Sequence, residues 1–262
     1  MKKRFLLLTL IMCLLGGVMP LNVMAQDEVT ITGVSEQDAY FGPFEPYFNY
    51  SYKQTIYLNS EIVDGESNTK TGTIDKITYY VATMGNDNDV RELVVYMKEV
   101  DDSYFIYQDN QYKNIPVAGT DIVYDGTITV SQGELTIDIK DYKYNGKNLL
   151  ISVLDNTGNK GDSNMKFTQF TSTIDINYST FYRTIQVGNK DGNDSYEPYV
   201  GGTDHSMNIQ NRTISPKIKL TFAPAPALVS PPHDETIGGT TVDLSWSYGA
   251  NNPATHYQVL LG

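Results

Sequence analysis

Carboxylates gathered in loops are the first residues in this sequence with the makings of a chemical site. Asp87 and Asp89 alternate with Asn86 and Asn88, and Asp191 and Asp194 flank Gly192-Asn193. Calcium takes about six to eight oxygen ligands, and such loops offer several within a few residues. Neither loop has the Asp-x-Asp-x-Asp-Gly pattern closed by glutamate that marks a helix-flanked calcium loop. The same residues also reverse the chain without binding anything, because Asn and Asp tolerate turn backbones. A structural calcium at Asp87, Asp89, Asp191 and Asp194 is thus set beside a plain role as turns. No other cofactor is implied.

Nucleophilic chemistry has less to build on. His205, His233 and His256 are far apart in sequence. Asp204-His205-Ser206 superficially suggests a catalytic trio, but neighbours on an extended chain point to opposite faces and cannot hydrogen-bond in series. The single cysteine, Cys13, lies in the first 25 residues. Residues 26–262 therefore have no thiol for catalysis, metal binding or a disulfide. No hydrolase or phosphate-loop motif accompanies the acidic residues, so this region reads as non-catalytic.

Aromatic residues are the more suggestive feature, with 20 Tyr and 9 Phe. Tyr40, Phe41, Phe44, Tyr47, Phe48, Tyr50 and Tyr52 crowd one segment and suit the half-buried surface of a strand. Tyr104, Phe105, Tyr107 and Tyr112 lie in a polar stretch between strands and are the better candidates for exposed contacts. Of these, Tyr104, Tyr107 and Tyr112 are the expected binding residues. A rigid phenol ring stacks on a sugar face or anchors a protein partner at low entropic cost.

The elements that must position these residues read as strands. Leu135, Ile137 and Ile139 alternate with polar neighbours, as do Ile218, Leu220 and Phe222, and Ile77, Tyr79 and Val81. Period-two alternation marks a strand with one wet face. The runs Leu93–Met97 and Leu149–Leu154 are nearly continuously apolar, which suits strands covered on both sides. Asn145-Gly146, Tyr124-Asp125-Gly126 and similar clusters reverse the chain between them. No window has a helical period. The expected fold is all-β, an antiparallel two-sheet, jelly-roll-like sandwich over residues 26–222.

Both ends carry further signals. Lys2, Lys3 and Arg4 precede an apolar run from Phe5 to about Val18, and Val23-Met24-Ala25 offers a cleavage site before Gln26. This is the layout of a secretory signal peptide over residues 1–25, too short and too broken by Gly16, Gly17 and Pro20 to stay as an anchor. The expected location is secreted or at the cell surface, with no transmembrane segment after cleavage. The whole chain has a net charge of −12. Cleavage removes three basic residues and no acidic one, and so acidic a surface repels nucleic acid. Ala223-Pro224-Ala225-Pro226-Ala227 reads as a semi-rigid linker over 223–227.

Beyond the linker, Pro231-Pro232, Val242-Asp243-Leu244-Ser245-Trp246 and Tyr257-Gln258-Val259 resemble the opening of a fibronectin type III domain. The resemblance covers residues 228–262, about a third of such a domain, and implies an incomplete immunoglobulin-like sandwich with Trp246 in its core. In the main domain, Tyr50–Tyr57, Gly72–Tyr80, Tyr144–Ile151, Asp155–Gly158 and Ser215–Phe222 resemble in their order a β-sandwich module of secreted and cell-surface multi-domain proteins of Bacteroidetes. That likeness implies no catalytic residues. Together these features point to a non-catalytic binding or adhesion module whose ligand is a carbohydrate or an extracellular host or matrix protein. The alternative is the substrate-targeting accessory region of a secreted peptidase or glycoside hydrolase with its catalytic domain elsewhere.

Overall fold

The computed structural model describes residues 27–40, 42–86, 88–108, 111–112, 114–171, 181–189, 214–224, 227–230 and 245–247. Residues 1–26, all three histidines, Asp87, Asp191, Asp194, Ala225-Pro226 and most of residues 228–262 lie outside them. In chain order the strands are β1 (Asp27–Ile31), β2 (Ser35–Ala39), β3 (Tyr50–Tyr57), β4 (Gly72–Thr83), β5 (Asp89–Val100), β6 (Phe105–Gln108), β7 (Gln111–Tyr112), β8 (Ile122–Val130), β9 (Gly133–Tyr144), β10 (Asn148–Asp155), β11 (Lys166–Thr171), β12 (Phe181–Tyr182), β13 (Thr184–Asn189), β14 (Ile214–Pro216), β15 (Ile218–Phe222), β16 (Ala227–Ser230) and β17 (Ser245–Ser247). Among the described residues the helical content is one short 3-10 turn, Gly119–Asp121, and no helix is long and apolar enough to cross a membrane.

Two compact units meet in the chain between Ala223 and Pro224. In the shorter unit β16 pairs antiparallel with β17, placing Leu228 opposite Trp246. The larger unit is the all-β sandwich expected from the alternating strands. Its first sheet contains β1, β15, β4, β11 and β14 in order, with β9 also on β4 and β2 on β11. Its second sheet has the order β13-β3-β10-β5-β8. Both are antiparallel throughout.

Side-chain alternation explains how the sheets meet. On β9, Leu135, Ile137 and Ile139 are buried while Glu134, Thr136, Asp138 and Lys140 are exposed. The buried set joins Ile77, Tyr79, Ile218 and Leu220 from the same sheet, and Leu93, Val95, Met97, Leu149, Ile151 and Val153 from the other, in one core. Each aliphatic side chain so buried contributes about 1.5–3 kcal/mol. The Asn145-Gly146 turn carries the chain from β9 in one sheet to β10 in the other. Gly146 has φ 101° there, a left-handed backbone that glycine adopts without steric cost.

The second sheet is covered on both sides, as its continuous apolar runs imply. Tyr96, Leu150 and Leu154 face away from the main core into a second cluster with Tyr52, Ile56, Val100, Phe105, Val117 and Ile185. The segment between β5 and β8 supplies Phe105 and Val117 to this layer. Two strands of this segment, β6 and β7, join the distant β12 in a three-stranded sheet of order β12-β6-β7.

Candidate functional site

Buried Gln54 on β3 fixes the outer layer to the second sheet. Its amide nitrogen donates to Ile115 O at 2.8 Å, and its carbonyl accepts from Ile115 N at 2.9 Å. The same nitrogen reaches Tyr52 Oη and Ser152 Oγ. A two-way amide clamp of this kind satisfies backbone groups that the layer would otherwise bury unpaired. Lys98 Nζ adds a bond to Pro116 O at 3.0 Å.

This arrangement corrects one expectation. Phe105 is 2% exposed and packs onto the second sheet, so it is core and not a contact residue. An isolated apolar residue in a polar stretch carries no period to reveal its burial. Tyr104 beside it is half-buried. Tyr107 pairs with Tyr112 across β6 and β7. Phe181 pairs with Ile106 and Tyr182 with Phe105. Backbone pairing thus brings two of the three expected tyrosines, Tyr107 and Tyr112, together with Phe181 and Tyr182 from a distant segment, and Tyr104 directly precedes β6.

The other aromatic segment splits. Phe44 is buried edge-on against Phe167, with centroids 5.4 Å apart, and Tyr52 is core. Tyr40 and Tyr47 are 45% and 43% exposed, with Lys166 and Lys160 over their rings at 5.3 and 5.9 Å. Sequence reading passed over both, because a crowded aromatic run does not say which members face outward.

Asp89 is engaged in lacing two loops together. Its carboxylate accepts from Asp162 N at 2.9 Å and lies 3.8 Å from the Arg91 guanidinium. The Asp162 carboxylate accepts in turn from Asn86 N and Asn164 N. Slight burial raises the Asp162 pKa, but these backbone bonds outweigh it and hold the carboxyl below its usual value. Among the described residues, no group of three or more His, Cys, Asp or Glu is placed to hold a metal ion. A groove of about 230 Å³ runs along the β5–β8 edge, with Glu92 and Asp125 on its walls and Gly126 and Asn156 beside them.

Three buried charged groups close the sandwich at its margins. Arg91 Nη2 donates to Asp155 at 2.6 Å, both fully buried. Burial raises the Asp155 pKa against the pull of Arg91. Arg183 grips Glu61 with two bonds, at 2.6 and 3.2 Å, and donates Nε–H to Ile56 O. The third group lies on the inner side of β3. Lys53 stands directly opposite Gln186 of β13 in the strand register, and its Nζ donates to Gly42 O at 2.6 Å. Glu45 is 3.5 Å from Gln186 Nε2. Burial pulls Lys53 from 10.5 down to about 8, with the Glu45 charge opposing. Burial likewise raises Glu45, offset in part by Lys53 and by hydrogen bonds from Gln186 and Tyr47 N. Sequence reading missed all three groups, whose members come together only in the fold.

No family model matches this chain, and no curated protein matches it. Among solved structures it is similar to a variant of the clostridial cysteine protease Cwp84 after propeptide cleavage, at 14% identity and a TM-score of 0.34. The similarity covers 74% of this chain and 40% of the protease chain. At that level neither fold nor activity transfers.

Proposed function

We propose that this chain is a non-catalytic binding or adhesion module of an exported, multi-domain protein, with a carbohydrate or an extracellular protein as its ligand. The observation that carries this reading is the added layer on the second sheet. The two sheets already enclose a core, yet the chain adds a small sheet whose paired strands bring Tyr107, Tyr112, Phe181 and Tyr182 together, with Tyr104 alongside. Aromatic residues gathered by backbone pairing suit ring stacking, which needs accessible ring faces and no activated nucleophile. The acidic composition disfavours nucleic acid as the ligand. Structural calcium at the acidic loops, secretion and surface location belong to the same reading.

The test is to screen the purified chain on glycan and extracellular-protein arrays, then substitute Tyr104, Tyr107 and Tyr112 by alanine. Each true anchor should weaken binding about tenfold, roughly 1.4 kcal/mol, with an unchanged melting temperature. A drop in melting temperature instead makes the rings structural. Peptidase or glycosidase turnover by the chain overturns the non-catalytic reading.

A further inference from the structure

Lys53, Glu45 and Gln186 form an amine, a carboxyl and a carboxamide enclosed together. All three are buried, Lys53 at 2%, Glu45 at 6% and Gln186 at 7% exposure. Directly opposed residues on one face of an antiparallel pair hold their Cβ atoms about 4.5–5.5 Å apart, so the lysine arm can reach the carboxamide carbon. The register there is pinned. Thr55 and Thr184 hydroxyls bond at 3.1 Å two pairs earlier along β13, and Arg183 anchors the strand entry to Glu61 and Ile56. Gly42, which accepts from Lys53, presses so close to Phe167 that a Cβ would lie 2.0 Å from its ring. Only glycine brings that carbonyl to the amine. Gln186 Oε1 is buried with no hydrogen-bond partner. An orphaned acceptor costs about 1–3 kcal/mol and leaves the carbonyl oxygen open to a proton donor when charge develops on it.

We propose that Lys53 and Gln186 join in an intramolecular isopeptide bond tying β3 to β13, with Glu45 as the proton carrier. Lys53 passes a proton to Glu45 and attacks Gln186 Cδ as the free amine, forming the Nζ–Cδ bond. The carboxyl of Glu45, which lies beside Gln186 Nε2, relays the amine proton to that nitrogen. The Cδ–Nε2 bond breaks, ammonia leaves, and it takes up the remaining proton as ammonium. A secondary amide replaces a primary one, and no oxidant or co-reactant is consumed. Burial disfavours the charged forms of both Lys53 and Glu45, which makes the attacking amine accessible near neutral pH. The bond would secure a strand that, among the described residues, pairs only with β3 in its sheet, in a region without a thiol for a disulfide.

Peptide mapping of the denatured full chain by mass spectrometry decides the matter. The expected product is a pair of tryptic peptides joined through Lys53 and Gln186, short by one ammonia, with no cleavage after Lys53. Chain synthesised and collected in denaturant, before it has folded, should be unlinked and should form the same link on refolding in buffer alone, which places the chemistry in the chain itself. Lys53→Met should give two separate peptides at full mass, and so should Glu45→Gln, which keeps the size of the side chain but removes the proton carrier. Normal cleavage after Lys53 with an intact Gln186 amide in folded wild-type chain overturns the bond, whether or not either variant folds. A link that persists in Glu45→Gln overturns the role given to Glu45.

Discussion

The outer faces of the two sheets are built differently. On β9 of the first sheet, Glu134, Thr136, Asp138 and Lys140 look into solvent. On β10 of the second, Leu150, Ser152 and Leu154 occupy the outward positions and are all buried, beneath a layer that Gln54 clamps in place. One sheet is half a sandwich, and the other is its middle slice. The strand pattern records this difference directly. A strand with one dry face alternates, whereas a strand with two dry faces does not, so loss of alternation counts the covers on a strand.

The largest effect should come where the sheets meet. Tyr57 and Tyr79 are buried in the shared core, and Tyr57 Oη donates to Pro216 O across from one sheet to the other. Burial raises both phenols above 10.0, further in Tyr57 through nearby Tyr79. The folded chain therefore keeps protons that the unfolded chain releases. Their stabilising contribution is fully present below about pH 10 and is lost as pH rises through the folded values. Alkaline titration should leave a fraction of the phenols protonated until the chain unfolds, and that fraction should ionise together with the loss of near-ultraviolet dichroism. Ionisation of every phenol while the dichroism persists would mean the interface is open to water.

A smaller effect separates the outer layer from the sheet under it. Phe105→Ala removes a buried ring from the second cluster, which also holds Tyr96 and Leu150, and should cost about 3 kcal/mol in urea unfolding within a single transition. A separate early transition would show that the layer melts alone and that the second sheet has only one permanent cover. The smallest effect belongs to the first sheet's outer face. Asp138 is 83% exposed and 3.5 Å from Lys76. Asp138→Ala should change stability by no more than about 0.5 kcal/mol. A loss comparable to that of Phe105→Ala would place a cover over that face too.

Much of this fold was legible in the sequence. Leu135-Thr136-Ile137-Asp138-Ile139 states which residues point inward, and Leu149–Leu154 states that β10 is covered twice. What covers it was not legible. Phe105, Ile115 and Val117 are single apolar residues scattered among polar ones, and they acquire a common face only when Gln54 and Lys98 hold the segment down. The buried charges were hidden for a related reason. Arg91 and Asp155, or Lys53 and Gln186, are ordinary surface-type residues in sequence, and only strand pairing between distant segments encloses them. Of the candidate contact residues, Tyr104, Tyr107 and Tyr112 share one region as their spacing suggests. The acidic loops join differently, because Asp89 meets Asp162, a partner no local spacing points to.

The pairing of β1 with β15 also sets a timetable. Asp27 lies opposite Phe222 and Ile31 opposite Ile218, and β15 lies between β1 and β4 in the first sheet. The chain must therefore hold a gap open beside β4 until almost the whole unit has been synthesised. Contacts between such distant segments carry a loop-closure cost before they return any energy, so domains of this kind fold slowly and late. Until β15 arrives, β1 and β4 present unpaired edges to any other strand in reach, and the unit is most prone to aggregate in that interval.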